Sequence, residues 1–255
     1  MPKIIDIVMF NNEIETLDLR INILNCVVDQ FYVVEADKTH QGDYKECLRS
    51  YSDDRVEVVT IQFPEGLDDW GRENYQRQFK VDLGAFHDDD IVLISDLDEV
   101  PDPKKLFLLR DEIWDPEFFY AFEQLMHQYY LNNVNTTEPW SGTRALSVEH
   151  YKAIDLQTLR GEWGINNYRP IIIQNGGWHW SFLGGVQAIH TKIGSYAHKE
   201  FNNDYILNNI QNNINNNIDV FGRNNVLETV PVDERYPEYI RDNQDKLQHL
   251  IKSIQ

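Results

Sequence analysis

Three carboxylates lie close together in the segment IVLISDLDEVPDP, residues 91–103. Asp96, Asp98 and Glu99 directly follow the apolar run IVLIS, which is typical of a buried strand. Like charges this close destabilise one another unless a cation lies among them. Two aspartates at positions i and i+2 before a turn can both reach a hard divalent cation, and oxygen ligands favour Mg²⁺ or Mn²⁺. The segment therefore predicts a metal site with Asp96 and Asp98 as ligands.

Two classes of enzyme and one class of binding protein use such a cluster of acids. In phosphatases of the haloacid-dehalogenase type the first aspartate, here Asp96, is a nucleophile, but their second acidic motif does not occur after residue 103. In nucleotide-sugar glycosyltransferases a DxD motif holds a metal ion that binds a diphosphate. A sugar-binding or calcium-binding module remains the non-catalytic alternative. If Asp98 serves only a metal, Asp98→Asn removes a repelling charge and is expected not to destabilise the metal-free protein.

The composition excludes several other classes of protein. A chain of 255 residues with 42% hydrophobic residues can bury a sizeable core. The net charge is −19 and the basic residues are not clustered, which argues against nucleic acid as a partner. Cys26 and Cys47 form no CxxC pair that would indicate a zinc or redox site. The sequence has neither a signal-peptide pattern nor an apolar run long enough for a transmembrane segment, so we expect a cytoplasmic protein.

Apolar runs alternate with helical patterns through the first hundred residues. Helices are predicted over 13–25 and 69–86, and strands over 3–10, 27–35, 56–61 and 91–95. This alternation is typical of an α/β fold with a mostly parallel central sheet flanked by helices. Ligands of such sheets bind beyond the carboxyl ends of the strands, which is where the aspartates lie.

A different pattern follows Pro103. Residues 117–130 are aromatic-rich and extended, and residues 169–181 form a strand that is expected to break at a Gly-Gly turn. In the asparagine-rich segment 202–225, isoleucines recur every four residues, which predicts a helix. Residues 236–254 have the spacing of a closing amphipathic helix.

Six segments together resemble glycosyltransferase family 17. They are FNNEIETLDLRINIL (10–24), VVDQFYVVEADKTHQG (27–42), WGRENYQR (70–77), DDIVLISDLDEVP (89–101), GTRAL (142–146) and GGWHWS (176–181). The resemblance implies one GT-A domain over residues 1–255, with a nucleotide-binding half, 1–103, and an acceptor-side half, 104–255. It further implies a UDP-sugar donor, a divalent metal such as Mn²⁺ or Mg²⁺, a glycan acceptor, and inverting transfer of N-acetylglucosamine.

The same segments suggest residues that bind the donor together with Asp96. Glu35, at the end of the second strand, is placed near the nucleoside, with an ordinary strand-end acid as the alternative. Glu13 is a second such residue, or else it is the N-terminal charge of its helix. Arg77, and less directly Arg72, is expected at the diphosphate, although Arg77 can also form a local ion pair with Glu73.

GGWHWS and two acidic residues complete the predicted site. His179 is the expected third metal ligand, with His198 in reserve. Trp178 is suited to stacking on a sugar face or to packing in the core. Inversion needs a general base for the acceptor hydroxyl, and Glu123 and Glu162 are both candidates between which the sequence does not choose.

Overall fold

The computed structural model describes residues 1–137, 140–161 and 169–254. Within these ranges ten strands form one sheet that runs through both predicted halves of the chain. In chain order the strands are β1 (Ile4–Phe10), β2 (Gln30–Ala36), β3 (Val56–Ile61), β4 (Ile91–Asp96), β5 (Glu99–Pro101), β6 (Tyr120–Gln128), β7 (Asn133–Asn135), β8 (Trp140–Ser147), β9 (Ile171–Ser181) and β10 (Leu227–Thr229).

Helices cover the sheet. They are α1 (Ile14–Leu24), α2 (Asp69–Gln78), α3 (Pro103–Leu108), α4 (Val148–Ala153), α5 (Leu156–Gly161), α6 (Gly185–Ile193), α7 (Asp204–Asn215) and α8 (Glu238–Asp242). A π-helical turn, Leu109–Ile113, continues α3, and short 3₁₀ turns occupy Lys199–Phe201 and Gln248–Leu250. None of the helices in the described part of the chain is long and apolar enough to cross a membrane.

The first half of the sheet is parallel, in the order β4-β1-β2-β3. Its central strands β1 and β4 are almost entirely buried, which explains their continuous apolar runs. Met9 pairs with Asp96 and Phe10 with Glu35, so three carboxyl ends meet at one edge. The prediction of an α/β fold with a helix-flanked central sheet is therefore confirmed.

The second half extends this sheet mainly with antiparallel strands. β8 pairs with β4 and β6, and the order continues through β7 to β10. β9 lies parallel to β6 and antiparallel to β5. The expected Gly-Gly break in β9 is wrong, because the strand continues through both glycines. A Cβ on Gly177, whose φ is +145°, would lie 2.2 Å from the Val100 carbonyl oxygen, so glycine permits the close approach of β5.

Of the two helices predicted near the C-terminus, one is confirmed and one is wrong. Ile206, Ile210 and Ile214 are buried along α7, which confirms the helix from the four-residue spacing, although the helix ends at Asn215. The single closing helix over 236–254 is wrong, because the chain forms only α8 and a 3₁₀ turn there. Predicted helix α2 also ends early, at Gln78, where Phe79 takes an extended conformation.

Arg20, on α1, is completely buried. It connects the first half of the sheet to the turn at residues 96–99, which we call the acidic turn. Its guanidinium binds both oxygens of Asp6 on β1, each at 2.7 Å. It also donates to Ser95 Oγ at 2.7 Å and to the carbonyl oxygens of Asp96, Leu97 and Glu99 at 3.3, 3.2 and 2.7 Å. The backbone of the DLDE turn is thus shaped by one side chain beneath it.

Replacing Arg20 by Met should destabilise the protein strongly. The substitution leaves Asp6 buried without its partner and removes the donors of the turn carbonyls, so we expect a loss of about 3–5 kcal/mol in the free energy of unfolding. Urea unfolding followed by circular dichroism measures it. As a control, Lys152→Met breaks an exposed ion pair with Asp88 and should cost less than about 1 kcal/mol. Equal losses in the two variants would contradict the role assigned to Arg20.

Candidate functional site

A cleft of about 310 Å³ opens at the carboxyl ends of β1 and β4. Both predicted halves of the chain contribute to its walls. Six residues predicted from the sequence line it: Glu13, Arg77, Asp96, Asp98, His179 and His198. Lys192, which was not predicted, lines it as well. The structure therefore brings the acidic turn together with several basic side chains.

Asp96, at the end of β4, is held by two arginines. Arg77 Nη1 on α2 lies 2.6 Å from Oδ1, and Arg160 Nη2 on α5 lies 2.8 Å from Oδ2. Burial acts to raise the pKa of Asp96, but Arg160 and Arg77 outweigh it and hold the pKa well below its usual range. Asp96 is therefore ionised, and both of its oxygens are engaged by cations of the protein.

Asp98 shares a lysine with Glu13. Lys192 Nζ on α6 donates to Asp98 Oδ2 at 2.7 Å and to Glu13 Oε1 at 2.9 Å, while His179 Nε2 lies 3.5 Å from Asp98 Oδ1. Burial alone would raise the pKa of Asp98. Lys192 and His179 lower it by more than burial raises it, so the pKa of Asp98 lies well below its usual range. For Lys192 the two carboxylates outweigh burial and raise the pKa. The ammonium therefore stays charged between two carboxylates.

Glu99 is completely buried and supports the turn from inside. Its Oε2 accepts a hydrogen bond from the backbone N–H of Asp96 at 2.9 Å, and its Oε1 accepts from Trp140 Nε1 at 2.7 Å. Arg160 binds Glu99 as well as Asp96, with Nη2 2.9 Å from Oε1. Glu99 thus fixes both the turn and the arginine that neutralises Asp96.

Three of the predicted donor residues do not line the cleft themselves and are engaged by other groups of the protein. Buried Glu35 binds Lys45 and accepts from the backbone N–H of Leu48 at 2.7 Å. Arg72 donates to the His40 carbonyl oxygen at 2.6 Å and pairs with Asp69. Trp178 is buried and stacks on Trp180, with ring centroids 5.5 Å apart. The donor-binding roles of Glu35, Arg72 and Trp178 stay predictions without support from these contacts.

The remaining predicted residues divide into two groups. His179 and His198 both line the cleft, but His198 pairs with Glu200 at 2.7 Å, whereas His179 faces Asp98. Glu123 is half-buried on β6 and lines a separate cavity beside Val134. Glu162 lies outside the described residues. The structure thus brings neither predicted base into the described lining of the cleft.

Comparison with known proteins shows the family of this chain. The family model of glycosyltransferase family 17 matches residues 1–241. The chain belongs to glycosyltransferase family 17. The family named from the six segments is thereby confirmed, and so is the prediction of a glycosyltransferase at the level of the family.

Three vertebrate proteins are similar to this family 17 chain. Each bears the name beta-1,4-mannosyl-glycoprotein 4-beta-N-acetylglucosaminyltransferase, and they come from Homo sapiens, Rattus norvegicus and Mus musculus. Each is 25% identical over 234 residues, which covers 78% of this chain and 44% of the relative. The chain therefore spans less than half the length of these relatives.

The divalent cation expected from the sequence resemblance can be compared with these side chains, which fit one in part. Among the described residues, no three His, Cys, Asp or Glu side chains converge as a metal site. The oxygens of Asp96 are already bound by arginines. Asp98 Oδ1 and His179 Nε2 face each other, and an oxygen with an imidazole nitrogen suits Mn²⁺. Asp98 and His179 are therefore the residues that fit such an ion.

Lys192 and Arg160 are important site residues of this family 17 chain that the sequence analysis missed, and Glu99 was named there without a role. Lys192 and Arg160 lie far along the chain from the aspartates and in no recognisable motif. One signal was available for them: three adjacent carboxylates need cationic partners somewhere in the fold. Charge balance predicts that such partners exist, but it does not say which of the 23 Lys and Arg residues they are.

The contacts of Asp98 reverse the expectation for Asp98→Asn. The variant removes the charge that Lys192 and His179 bind, so we expect it to lose about 1.5–3 kcal/mol of stability without metal. Because the folded-state pKa of Asp98 is depressed, this contribution is present above the unfolded pKa of about 3.9 and is lost as the pH falls further. Urea unfolding at pH 7 and pH 3 measures both effects.

The matched control for this measurement is Asp88→Asn. Asp88 is a largely exposed partner of Lys152, so its loss should cost less than about 1 kcal/mol at either pH. An Asp98→Asn protein as stable as wild type at pH 7 would restore the original interpretation, in which the charge of Asp98 serves only a bound cation.

Proposed function

We propose that this chain transfers N-acetylglucosamine from a UDP-sugar to a glycan acceptor, with a divalent cation and with inversion at the anomeric carbon. The observation that carries the proposal is the cleft, where the acidic turn of a parallel sheet lies beside Arg77, Lys192 and His179. In open α/β sheets this edge is the usual place of a ligand. The GT-A fold and the division into a nucleotide-binding and an acceptor-side half belong to the same proposal.

The lining of the cleft supports a polar ligand. Buried polar groups in proteins are nearly always hydrogen-bonded. Five residues that line the cleft each have one buried side-chain atom without a hydrogen-bond partner among the described residues: Asn11 Oδ1, His40 Nδ1, Arg77 Nε, His179 Nδ1 and Tyr196 Oη. A ligand with many donors and acceptors, such as a nucleotide sugar, would supply such partners directly or through water.

The charges of the cleft support a diphosphate as part of that ligand. Arg77 Nη1 and Nη2 bind Asp96 and Glu73, so the guanidinium is fixed in position at the cleft wall. Guanidinium groups bind phosphate oxygens in a directional way. A divalent cation held by Asp98 and His179 would neutralise the diphosphate and stabilise UDP as it leaves. Arg77 then orients the diphosphate from the side of α2.

The choice of sugar and acceptor is supported by the relatives alone. Their name describes transfer of N-acetylglucosamine to a β-1,4-mannosyl glycoprotein. We extend the sugar to this chain and take a β-mannoside as the first acceptor to examine. The phosphatase alternative loses support, because both oxygens of its nucleophile, Asp96, are bound by arginines.

UDP binding is expected to require the cation. Isothermal titration with Mn²⁺ present should show binding that weakens by about tenfold or more in a chelator, a change of at least ~1.4 kcal/mol. His179→Ala should reproduce most of that loss in the presence of Mn²⁺. His198→Ala serves as the matched control, since His198 lines the same cleft but pairs with Glu200. Equal UDP affinity with and without Mn²⁺ would exclude the proposed cation dependence.

Transfer itself is measured with UDP-N-acetylglucosamine and 4-nitrophenyl β-D-mannopyranoside. The expected product carries a β-linked N-acetylglucosamine, which proton NMR identifies from the coupling constant at the anomeric position. UDP-glucose and UDP-galactose should be poorer donors by about tenfold or more. Binding of UDP without release of UDP from any of these donors would leave the non-catalytic sugar-binding module as the better description.

A further inference from the structure

A second cavity lies directly beside the cleft, and we call it the side cavity. It has a volume of about 310 Å³ and lies between the start of α1 and α6. The two cavities share lining residues, among them Glu13 and Lys192. Of the described carboxylates that line the cleft, Glu13 alone also lines the side cavity. Its carboxylate therefore stands at the boundary between the proposed donor site and an unassigned space.

The conformation of Glu13 is not explained by its helix. Glu13 occupies the N-cap position of α1, yet its side chain makes no capping hydrogen bond. Asn12, immediately before it, has a φ of +66° and turns the chain after β1. The Glu13 carboxylate instead reaches Lys192 of α6. The alternative of a purely local N-terminal charge is thus weaker than a role at the boundary of the cavities.

Glu13 is also the least occupied carboxylate of the cleft. Asp96 is bound by two arginines, Asp98 by Lys192 and His179, and Glu73 by Arg77 with His40 nearby. In Glu13 only Oε1 has a hydrogen-bond partner among the described residues. Burial raises the pKa of Glu13 against the opposing effect of Lys192. Oε2 remains available to accept a proton.

The side cavity has the composition of a sugar site. Its walls combine hydrogen-bonding side chains, including Asn12, Gln187 and Thr191, with the aromatic ring of Phe182. Pockets that hold small ligands have volumes from about 300 Å³ upward and fix them by a few polar groups on a mainly apolar wall. We propose that the side cavity binds the acceptor sugar and that Glu13 is the general base for its attacking hydroxyl.

The proposed step, which rests on the proposed function, is a single displacement at the anomeric carbon of the donor. The acceptor oxygen attacks the anomeric carbon of the donor and forms the new C–O bond. The bond from that carbon to the diphosphate oxygen breaks, and its electron pair leaves with UDP. The hydroxyl proton passes to Glu13 Oε2 and is later released to solvent. Attack from the face opposite to the leaving group inverts the configuration.

The test compares Glu13→Gln with wild type by the release of UDP from UDP-N-acetylglucosamine in Mn²⁺. Water is the acceptor in this reaction, so no glycan needs to be known. UDP release should fall by about a hundredfold or more, the usual contribution of a general base. UDP affinity, measured by titration, should stay within about threefold of wild type. Azide attacks without losing a proton, so it should restore UDP release in the variant and yield the β-glycosyl azide.

Asp18→Asn, on the exposed side of α1, is the control and should behave as wild type. Glu13→Asp keeps the charge and should fold if Glu13→Gln does not, yet still release UDP more slowly. Normal turnover in Glu13→Gln, parallel loss of UDP affinity, or no restoration by azide would each overturn the role as base. A wild-type protein that neither binds nor releases UDP would instead refute the proposed function itself.

The side cavity is tested separately with Thr191→Trp, which narrows it from an exposed position. The ratio of transfer to 4-nitrophenyl β-D-mannopyranoside over transfer to water should fall by about tenfold or more. An unchanged ratio would place the acceptor elsewhere. It would leave the role of Glu13 to be judged by the azide experiment.

Discussion

The buried guanidinium of Arg20 is the interaction on which the rest of the site depends. A buried charge costs several kcal/mol unless it is paired and hydrogen-bonded, and Arg20 meets this condition with Asp6 and with the carbonyl oxygens of the acidic turn. Because those carbonyls are bound from below, the turn is held in one shape. Its two aspartate side chains are then free to face the cleft.

Charge balance determines the upper side of the same turn. Each aspartate is neutralised by groups from separate elements: Arg77 from α2 and Arg160 from α5 for Asp96, and Lys192 from α6 for Asp98. The strand alone would place repelling charges at its end, so the helices complete the site as well as cover the sheet. A site assembled in this way is ordered before a ligand arrives, which lowers the reorganisation needed during a reaction.

The sequence predicted the parts of this arrangement that depend on local pattern. Buried parallel strands are rich in apolar residues, so β1, β2 and β4 and the position of Asp96 and Asp98 followed directly. Partners distant in the chain could not be found in that way, since Lys192 meets Asp98 only through the packing of α6. The same limit explains why the ion pair of Glu35 was not predicted, since its partner Lys45 comes from a loop. It also explains the wrong closing helix, because residue spacing alone did not show that the helix ends at Asp242.

Lys192 also links the two cavities through electrostatics. One ammonium neutralises both Asp98 and Glu13, so the charge at one carboxylate affects the other. A positive charge added beside Asp98 repels the Lys192 ammonium and so favours its ion pair with Glu13. Protonation of Glu13 removes that ion pair, and the ammonium then pairs with Asp98 only. The donor side and the side cavity are therefore coupled by direct Coulomb interaction over two hydrogen bonds. No movement of the sheet is needed for that coupling, since all three groups are positioned by α1, α6 and the turn that Arg20 holds.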